Sequence, residues 1–269
     1  MTNVTSDTKP PVCLTIAGLD PSGGAGIIAD IKTFSAFGCF ASAVVASITF
    51  QNTQGVFGAV HQTAESVRLQ IEPILDDYDV AAVKTGMLPT SEIIDEVAGI
   101  IKKHGLKNVV VDPVVRSTSG FDLINDAALA ILIDRLFPLA DLVTPNIPEA
   151  ERIAQMTIRT EADIRQAAQT MQSFGATNVL IKGGHFSAAE FDGKARDFLF
   201  SENSMAIIEA DFIETTATHG TGCTLAAAIA ANLAVGEDLS KAVSIAKEFV
   251  NEAIRTAPGL GKGHSPIHI

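Results

Sequence analysis

Residues 80–111 read VAAVKTGMLPTSEIIDEVAGIIKKHGLKNVVV and contain one complete strand–helix–strand unit. The stretch opens and closes with short apolar runs rich in β-branched residues, at 80–83 and 108–111, which predict buried strands. Between them, apolar residues recur at helical spacing from position 93 to position 101. Two strands joined by a helix pair in parallel through a right-handed crossover, so this stretch predicts an α/β fold.

The same alternation continues in both directions from this unit. Buried parallel strands are predicted at residues 12–16, 43–49, 80–83, 108–111, 141–143 and 178–181. Later segments predict a hairpin at 194–201 and 204–213, followed by helices at 222–235 and 239–255. We therefore expect a mostly parallel central sheet with helices on both faces, formed by a single domain at residues 11–269 behind a mobile N-terminal tail at residues 1–10.

Composition restricts the partners and the compartment. The 269 residues are 47% hydrophobic and 19% charged, which is enough to form a globular core. The formal charge of −12 argues against nucleic acid and anionic membranes as partners. Three widely spaced cysteines without a Cys-x-x-Cys pair, together with a polar N-terminus, predict a cytoplasmic protein without a signal peptide or membrane span. The assembly state stays open, and a homodimer is one prediction.

Glycine-rich or polar clusters follow each predicted strand. They are GLDPSGGAG at 18–26, Gln51-Asn52, TGM at 85–87, Asp112-Pro113, TPN at 144–146 and GGH at 183–185. Ligands bind outside the carboxyl ends of strands in open parallel sheets, so these clusters predict one shared site. The alternative is that some of them only reverse the chain direction.

The segment HGTGCT, residues 219–224, directly precedes a predicted helix. Its backbone N–H groups, from Gly220 to Cys223, predict an anion hole suited to a phosphoryl group. The GLDPSGG segment lacks the Lys-Ser/Thr of a P-loop, and neither glycine-rich turn fits a dinucleotide-binding motif. The six scattered histidines do not have zinc-ligand spacing, so Mg²⁺ carried by a nucleotide is the expected metal.

Long motifs of the chain resemble the hydroxymethylpyrimidine/phosphomethylpyrimidine kinases of thiamine biosynthesis. They are TIAGLDPSGGAGIIADIKTF, ITFQNTQGV, KTGML, VVDPV, TPNIPEA, LIKGGH, THGTGCTLAAAIAA and GKGHSPIH, in that order. The resemblance implies a ribokinase-like three-layer αβα sandwich. It also implies ATP-dependent phosphorylation of a hydroxymethylpyrimidine and then of its monophosphate, with ATP and Mg²⁺ required.

The resemblance also implies the residues that contact the pyrimidine. Asp30 and Gln51 match positions that contact the ring, since a carboxylate and an amide can pair with an aminopyrimidine edge. Met87 would add an apolar wall, and Gly18 would let the first loop approach the substrate. Taken alone, Asp30 could be a solvated helix residue, Gln51 a strand-end residue and Met87 part of the core.

On the phosphate side, Asn146 and Glu149 match an Asn-x-x-Glu element that helps to order Mg²⁺ and the phosphates, with Glu149 acting through water. Lys182 and His219 would lie near the nucleotide phosphates. An Asn with a Glu three residues later would otherwise indicate only a helix N-terminus. His264, in the C-terminal GKGHSP, is expected to be structural.

Cys223 stands where many related sugar kinases carry an aspartate base. With Gly220, Thr221 and Gly222 it is the expected catalytic segment, and a thiolate is plausible because a helix N-terminus lowers a thiol pKa. A small packed cysteine is the alternative.

Two other functions of the whole protein also remain: a pyridoxal kinase, and a catalytically silent pyrimidine sensor.

Overall fold

The computed structural model describes residues 9–115, 122–184, 193–202 and 204–269. The strands in these ranges are β1 (Val12–Leu19), β2 (Phe40–Asn52), β3 (Gly55–His61), β4 (Val80–Thr85), β5 (Val109–Val111), β6 (Leu142–Val143), β7 (Asn178–Lys182), β8 (Lys194–Ser201) and β9 (Ser204–Asp211). The helices are α1 (Gly26–Ala36), α2 (Ala64–Asp77), α3 (Ser91–His104), α4 (Asp126–Ile131), α5 (Ile147–Ala154), α6 (Glu161–Ser173), α7 (Thr221–Ala234) and α8 (Leu239–Arg255). A π-helical turn (Leu132–Leu136) and a 3-10 turn (Phe137–Leu139) follow α4. Most of the predicted tail, residues 1–8, lies outside the described ranges, as does His185.

Helix α3, in the middle of residues 80–111, has sequence signals at both of its ends. Thr90 caps the start of α3 by accepting the N–H of Ile93, and Glu92 lies in the first turn. Basic residues occupy the last turn, and Gly105 ends the helix in the left-handed region at φ 59°. These are the end signals that stabilise an isolated helix terminus. The apolar positions from 93 to 101 are buried against the sheet, as the spacing predicts.

All strands in the described ranges join one sheet, in the order β3-β2-β1-β4-β5-β6-β7-β8-β9. The six central strands, β2, β1, β4, β5, β6 and β7, are parallel to one another. At one edge β3 pairs antiparallel with β2, and at the other edge β8 pairs antiparallel with both β7 and β9. The predictions of a mostly parallel sheet and of the β8–β9 hairpin are therefore confirmed. The predicted last helix has the observed bounds of α8, and the second hairpin strand ends at Asp211 instead of residue 213.

One edge of the sheet was not predicted. β2 continues to Asn52, so Gln51 and Asn52 form its last residues instead of following it. A turn at Thr53 and Gln54 then leads into β3, which pairs with β2 from Asn52–Gly55 onward. The alternation of β3 is weak because its residues are half-buried or exposed and none is fully buried, which is why periodicity alone missed it.

Helices cover both faces of the sheet and give three layers. One buried apolar cluster joins the sheet to α2 through α6, and a second joins it to α1, α7 and α8. Parallel strands with both faces covered place all their carboxyl ends on one edge, where loops can meet a ligand. In the part of the chain described, no helix is both long and apolar enough to cross a membrane.

Candidate active site

A cavity of about 1100 Å³ opens at the carboxyl ends of the parallel strands. Every predicted site residue except Asp30 lines it. These residues are Gly18, Gln51, Met87, Asn146, Glu149, Lys182, His219, Gly220, Thr221, Gly222 and Cys223. The strand-end clusters thus converge on one cavity, as the sequence predicts.

The anion hole is built at the N-terminus of α7. Gly220 precedes the helix in the left-handed region at φ 87°, and a Cβ there would overlap the carbonyl oxygen of Gly24. No side chain in the described ranges caps this helix end, so its first N–H groups can bind an anion instead. The N–H of Gly26, at the start of α1, also points to the sulfur of Cys223. Two helix N-termini therefore meet at Cys223.

A partly buried cation lies directly beneath this anion hole. The Lys182 Nζ is 2.9 Å from Asp112 Oδ1, which also accepts the Thr144 hydroxyl at 3.0 Å. A Cβ on Gly222 would lie 3.2 Å from that Nζ, so Lys182 contacts the helix end itself. Burial lowers the pKa of Lys182, but the carboxylates of Asp112 and Glu149 outweigh it and hold the pKa above its usual range. Lys182 is therefore charged at neutral pH.

The Asn-x-x-Glu element forms a reciprocal cap on α5. Asn146 Oδ1 accepts the Glu149 N–H at 2.9 Å, and Glu149 Oε2 accepts the Asn146 N–H at 2.8 Å. Glu149 is nevertheless buried and lines the cavity. Burial raises the pKa of Glu149 to about 7, although Lys182 partly opposes it. The carboxyl therefore gains its charge near neutral pH.

The opposite wall of the cavity is formed by Gly18, Gln51 and Met87. Gly18 leaves room for Met87, whose Sδ would lie 3.1 Å from a Cβ at that position. The side-chain amide of Gln51 is half-buried in the cavity wall and makes no hydrogen bond to the described part of the chain. An amide held there without a partner is available to a polar ring edge.

Asp30 does not contact the cavity, and the prediction of direct ring contact is corrected. Its side chain is fully buried, with both oxygens within 2.9 Å of the Lys84 Nζ and one accepting the Thr15 hydroxyl at 2.6 Å. Burial lowers the pKa of Lys84, but Asp30 and Asp112 outweigh it and hold the pKa above its usual range. Lys84 does line the cavity, so Asp30 can act only through that lysine.

The structure argues against a Cys223 thiolate in the free protein, which the sequence left as one of two alternatives. Burial raises the pKa of Cys223 to about 11, and the nearby carboxylates of Asp30 and Asp112 add to the effect. The cation of Lys84 and the N–H of Gly26 lower it only in part. Two helix N-termini do not overcome desolvation here, so Cys223 is a neutral thiol in the free protein at pH 7.

His219 is held by the first glycine-rich loop. Its Nε2 lies 2.8 Å from Asp20 Oδ2, which also accepts the Ala25 N–H. Burial raises the pKa of Asp20, but hydrogen bonds from His219 and Ser22 outweigh it and keep the pKa below its usual range. His219 therefore ties the loop after β1 to the anion hole.

Three charged residues that line the cavity, Asp20, Lys84 and Asp112, were not singled out from the sequence, although Asp20 and Asp112 belong to two of the strand-end clusters. A signal existed for Lys84, because a lysine inside the apolar strand VAAVKT can be buried only with a charged partner. Asp112 directly follows β5, at the position where the other strands are followed by site residues. Asp20 is buried within a loop that otherwise resembles a turn.

With this geometry in place, the chain can be compared with known proteins. A family model described as phosphomethylpyrimidine kinase matches residues 20–268. The hydroxymethylpyrimidine/phosphomethylpyrimidine kinase of Bacillus subtilis strain 168 is 43% identical over 255 residues, which cover 95% of this chain and 93% of that protein.

Two solved structures share the ribokinase-like fold. An ADP complex of Bacillus subtilis pyridoxal kinase aligns with a TM-score of 0.87 at 36% identity and covers 97% of both chains. The phosphomethylpyrimidine kinase of Clostridium difficile 630 aligns with a TM-score of 0.79 at 41% identity, over 91% of this chain and 99% of its own. Because the family model spans nearly the whole chain and these relatives match it end to end, the chain belongs to the phosphomethylpyrimidine kinase family.

Proposed function

We propose that this protein transfers the terminal phosphoryl group of ATP to 4-amino-5-hydroxymethyl-2-methylpyrimidine and then to the monophosphate so formed, within thiamine biosynthesis. The observation that carries the proposal is the pairing of two half-sites across Cys223. One half is the amide of Gln51, which has no hydrogen-bond partner among the described residues, and the other is the α7 anion hole with Lys182 beneath it.

The acceptor half suits a flat, polar ring. Gln51 can both donate to a ring nitrogen and accept from an exocyclic amine. Met87, which is 7% exposed, supplies an apolar surface beside Gly18. Lys84 lines the cavity with its charge balanced by Asp30, so the ion pair adds no net charge there. A hydroxymethyl group presented to Cys223 would face the anion hole.

The phosphate half suits a nucleotide that carries Mg²⁺. In the described ranges no group of three or more His, Cys, Asp or Glu side chains could hold a metal ion by itself. Mg²⁺ usually needs only one or two protein carboxylates when substrate phosphates complete its shell. Glu149, acting through water, and Asp112 would fill that role, and the ion would neutralise charge on the phosphates.

The chain's own groups then position the reactants and stabilise charge. The N–H groups of residues 220–223 and the Lys182 ammonium lie where the moving phosphoryl group gains negative charge. In the first step the acceptor O–H bond would break as the new P–O bond forms and the bond from that phosphorus to the ADP oxygen breaks, and the thiolate form of Cys223 would take the proton. In the second step the acceptor is already an anion.

The remaining features of the proposal concern the whole molecule. We propose that residues 11–269 act as one kinase domain in the cytoplasm, which is consistent with one sheet and three free thiols.

We also propose a homodimer formed through β2 and β3, where Phe50, Phe57 and Val60 are exposed. Light scattering of the purified protein tests the assembly, and a monomer would exclude it.

Product analysis tests the proposed function directly. Purified protein, Mg-ATP and a panel of hydroxymethylpyrimidine, its monophosphate, pyridoxal and hydroxyethylthiazole should be followed by mass spectrometry. We expect the pyrimidine to become first the monophosphate and then the diphosphate. A higher kcat/KM for pyridoxal would instead favour the pyridoxal kinase reading, and no product at all would favour a silent sensor.

Gln51→Met should raise the KM for hydroxymethylpyrimidine and leave the KM for ATP unchanged. The change removes a donor and an acceptor that a bound ring would otherwise satisfy, which costs about 1–3 kcal/mol. Steady-state kinetics with each substrate varied in turn measures the split. Gln54→Met is the matched control, because that glutamine is exposed on the same hairpin and lies outside the cavity. Unchanged pyrimidine kinetics in Gln51→Met would show that Gln51 does not bind the pyrimidine ring.

Glu149→Gln should weaken Mg-nucleotide binding and abolish its pH dependence near neutrality. Because the pKa of Glu149 lies at about 7, binding by the wild type should strengthen as pH rises through 7 and the carboxylate forms. Binding of Mg-nucleotide between pH 5.5 and 8.5 can be measured by titration calorimetry. A Glu149→Gln variant that keeps the wild-type pH profile would show that another group carries it.

The same substitution should stabilise the fold above neutral pH. The pKa of this carboxyl rises from its usual 4.5 to about 7 on folding. The free energy of unfolding therefore falls as pH increases across that window, by about 3 kcal/mol in total. Urea unfolding at pH 5 and pH 8 should therefore show a gain for Glu149→Gln only at pH 8. Glu161→Gln makes the same change at an exposed first-turn position of α6 and should show no such difference.

A further inference from the structure

The C-terminal segment, residues 260–268, connects two parts of the site that are far apart in sequence. It runs past the turn between β2 and β3 and then alongside the residues that precede α7. The first contact lies beside Gln51, on the acceptor side. The second lies beside the anion hole, on the phosphate side.

Thr53 makes the first contact with both its side chain and its backbone. Its Oγ1 accepts the N–H groups of Lys262 and Gly263 at 3.1 and 3.3 Å. Its carbonyl oxygen accepts the N–H of His264 at 2.7 Å. Three consecutive amides therefore bind one residue of the hairpin turn.

Two glycines make this approach sterically feasible. A Cβ on Gly261, which lies in the left-handed region at φ 83°, would overlap the Thr53 side chain. A Cβ on Gly263 would overlap the Thr53 carbonyl oxygen. The spacing of glycines in GKGHSPIH is thus explained by a close contact between backbone and hairpin.

The second contact fixes the residues that lead into α7. Ser265 O accepts the His219 N–H at 3.3 Å, and Pro266 pairs with His219 as an isolated parallel bridge. His264 Nδ1 lies 3.2 Å from the Thr218 hydroxyl. His219 in turn bonds Asp20, so the loop after β1 belongs to the same network.

We propose that Thr53 is a positioning residue for the reaction: by holding the C-terminal segment, it sets the distance between the Gln51 wall and the α7 anion hole. The proposal rests on the proposed function only for the identity of the acceptor. β2 and β3 are joined by a two-residue turn, Thr53 and Gln54, at the edge of the sheet. Without Thr53 Oγ1 the C-terminal segment would lose two of the three hydrogen bonds that Thr53 accepts from it.

Thr53→Val tests this, because valine keeps the shape and removes the acceptor, while Thr53→Ser keeps the hydroxyl. Hydrogen–deuterium exchange with peptide mass spectrometry reports on residues 260–268, and steady-state kinetics reports on each substrate. We expect Thr53→Val to exchange about tenfold faster in this segment and to raise the pyrimidine KM about tenfold, with the ATP KM unchanged. Thr53→Ser should match the wild type in both measurements.

Gly263→Ala provides a second, stronger perturbation of the same contact, and Gly259→Ala is its control. Gly259 also has a positive φ, of 65°, but a Cβ there meets nothing within 4 Å. We expect the KM effect only for Gly263→Ala. Unchanged exchange in Thr53→Val, or faster exchange with an unchanged acceptor KM, would overturn the proposal.

The experiment separates this proposal from the proposed function. If the wild type does not phosphorylate the pyrimidine, the proposed function fails, and the kinetics are then run with whichever alcohol of the panel it does phosphorylate. If the wild type phosphorylates no alcohol of the panel, the positioning role of Thr53 and the proposed kinase function are both wrong. The exchange measurement does not depend on the substrate in any case.

Discussion

Replacing Cys223 with alanine is expected to slow phosphorylation of the hydroxymethyl alcohol by about 10²-fold near pH 10, where about a tenth of the thiol is ionised, and phosphorylation of the monophosphate far less. The alcohol must lose its proton during transfer, whereas a phosphate monoester, with a second pKa near 6, is mostly a dianion at pH 7. The backbone N–H groups of residues 220–223 survive the substitution, so stabilisation of the moving phosphoryl group should persist in both steps.

The raised pKa of Cys223 adds a pH signature to this prediction. With a pKa of about 11, the thiolate fraction increases with pH throughout the range from 7 to 10. The ratio of wild-type to Cys223→Ala rates should therefore grow with pH for the alcohol and stay level for the monophosphate. Single-turnover rates for the two substrates, measured separately, prevent product release from masking chemistry.

Cys223→Ser is the matched variant, because it keeps the volume and the position of the donor atom. Its hydroxyl ionises even less readily than the thiol, so it should resemble alanine in the first step and the wild type in the second. Equal losses in both steps for alanine, combined with full activity for serine, would mean that Cys223 shapes the anion hole and accepts no proton.

Asp30→Asn is expected to cost about 3–5 kcal/mol of the free energy of unfolding. The substitution leaves the Lys84 ammonium buried without a countercharge, which is among the most unfavourable changes a core can undergo. Adding Lys84→Met should recover much of the loss, because the pair is then neutral. The double variant should therefore be much more stable than the sum of the single effects predicts.

Urea unfolding of the wild type, both single variants and the double variant measures this coupling. The ion pair between Lys194 and Asp211 provides a control, since its atoms are 2.6 Å apart but both side chains are largely exposed. Lys194→Met should leave stability unchanged, because exposed pairs are screened by water. Strict additivity of Asp30→Asn and Lys84→Met would show that the buried pair is not coupled.

The elements of the fold follow largely from local sequence. The strand–helix–strand pattern of residues 80–111 predicts β4, α3 and β5 because burial on two faces requires continuous apolar runs, and the end signals of α3 are local. The exception is β3, whose half-buried residues alternate only weakly. Its position depends on pairing with β2, which is a tertiary contact.

The candidate site also depends partly on local sequence and partly on tertiary contacts. The sequence by itself determined that polar and glycine-rich residues collect at the carboxyl ends of the strands, because the direction of parallel strands fixes where their loops lie. Only the tertiary structure decided that Asp30 lies beneath the cavity, since its partner Lys84 is 54 residues away. It also decided that Cys223 is protonated in the free protein, because its pKa depends on burial and on the charges of Lys84 in β4, Asp30 in α1 and Asp112 after β5. No local motif contains all of these groups.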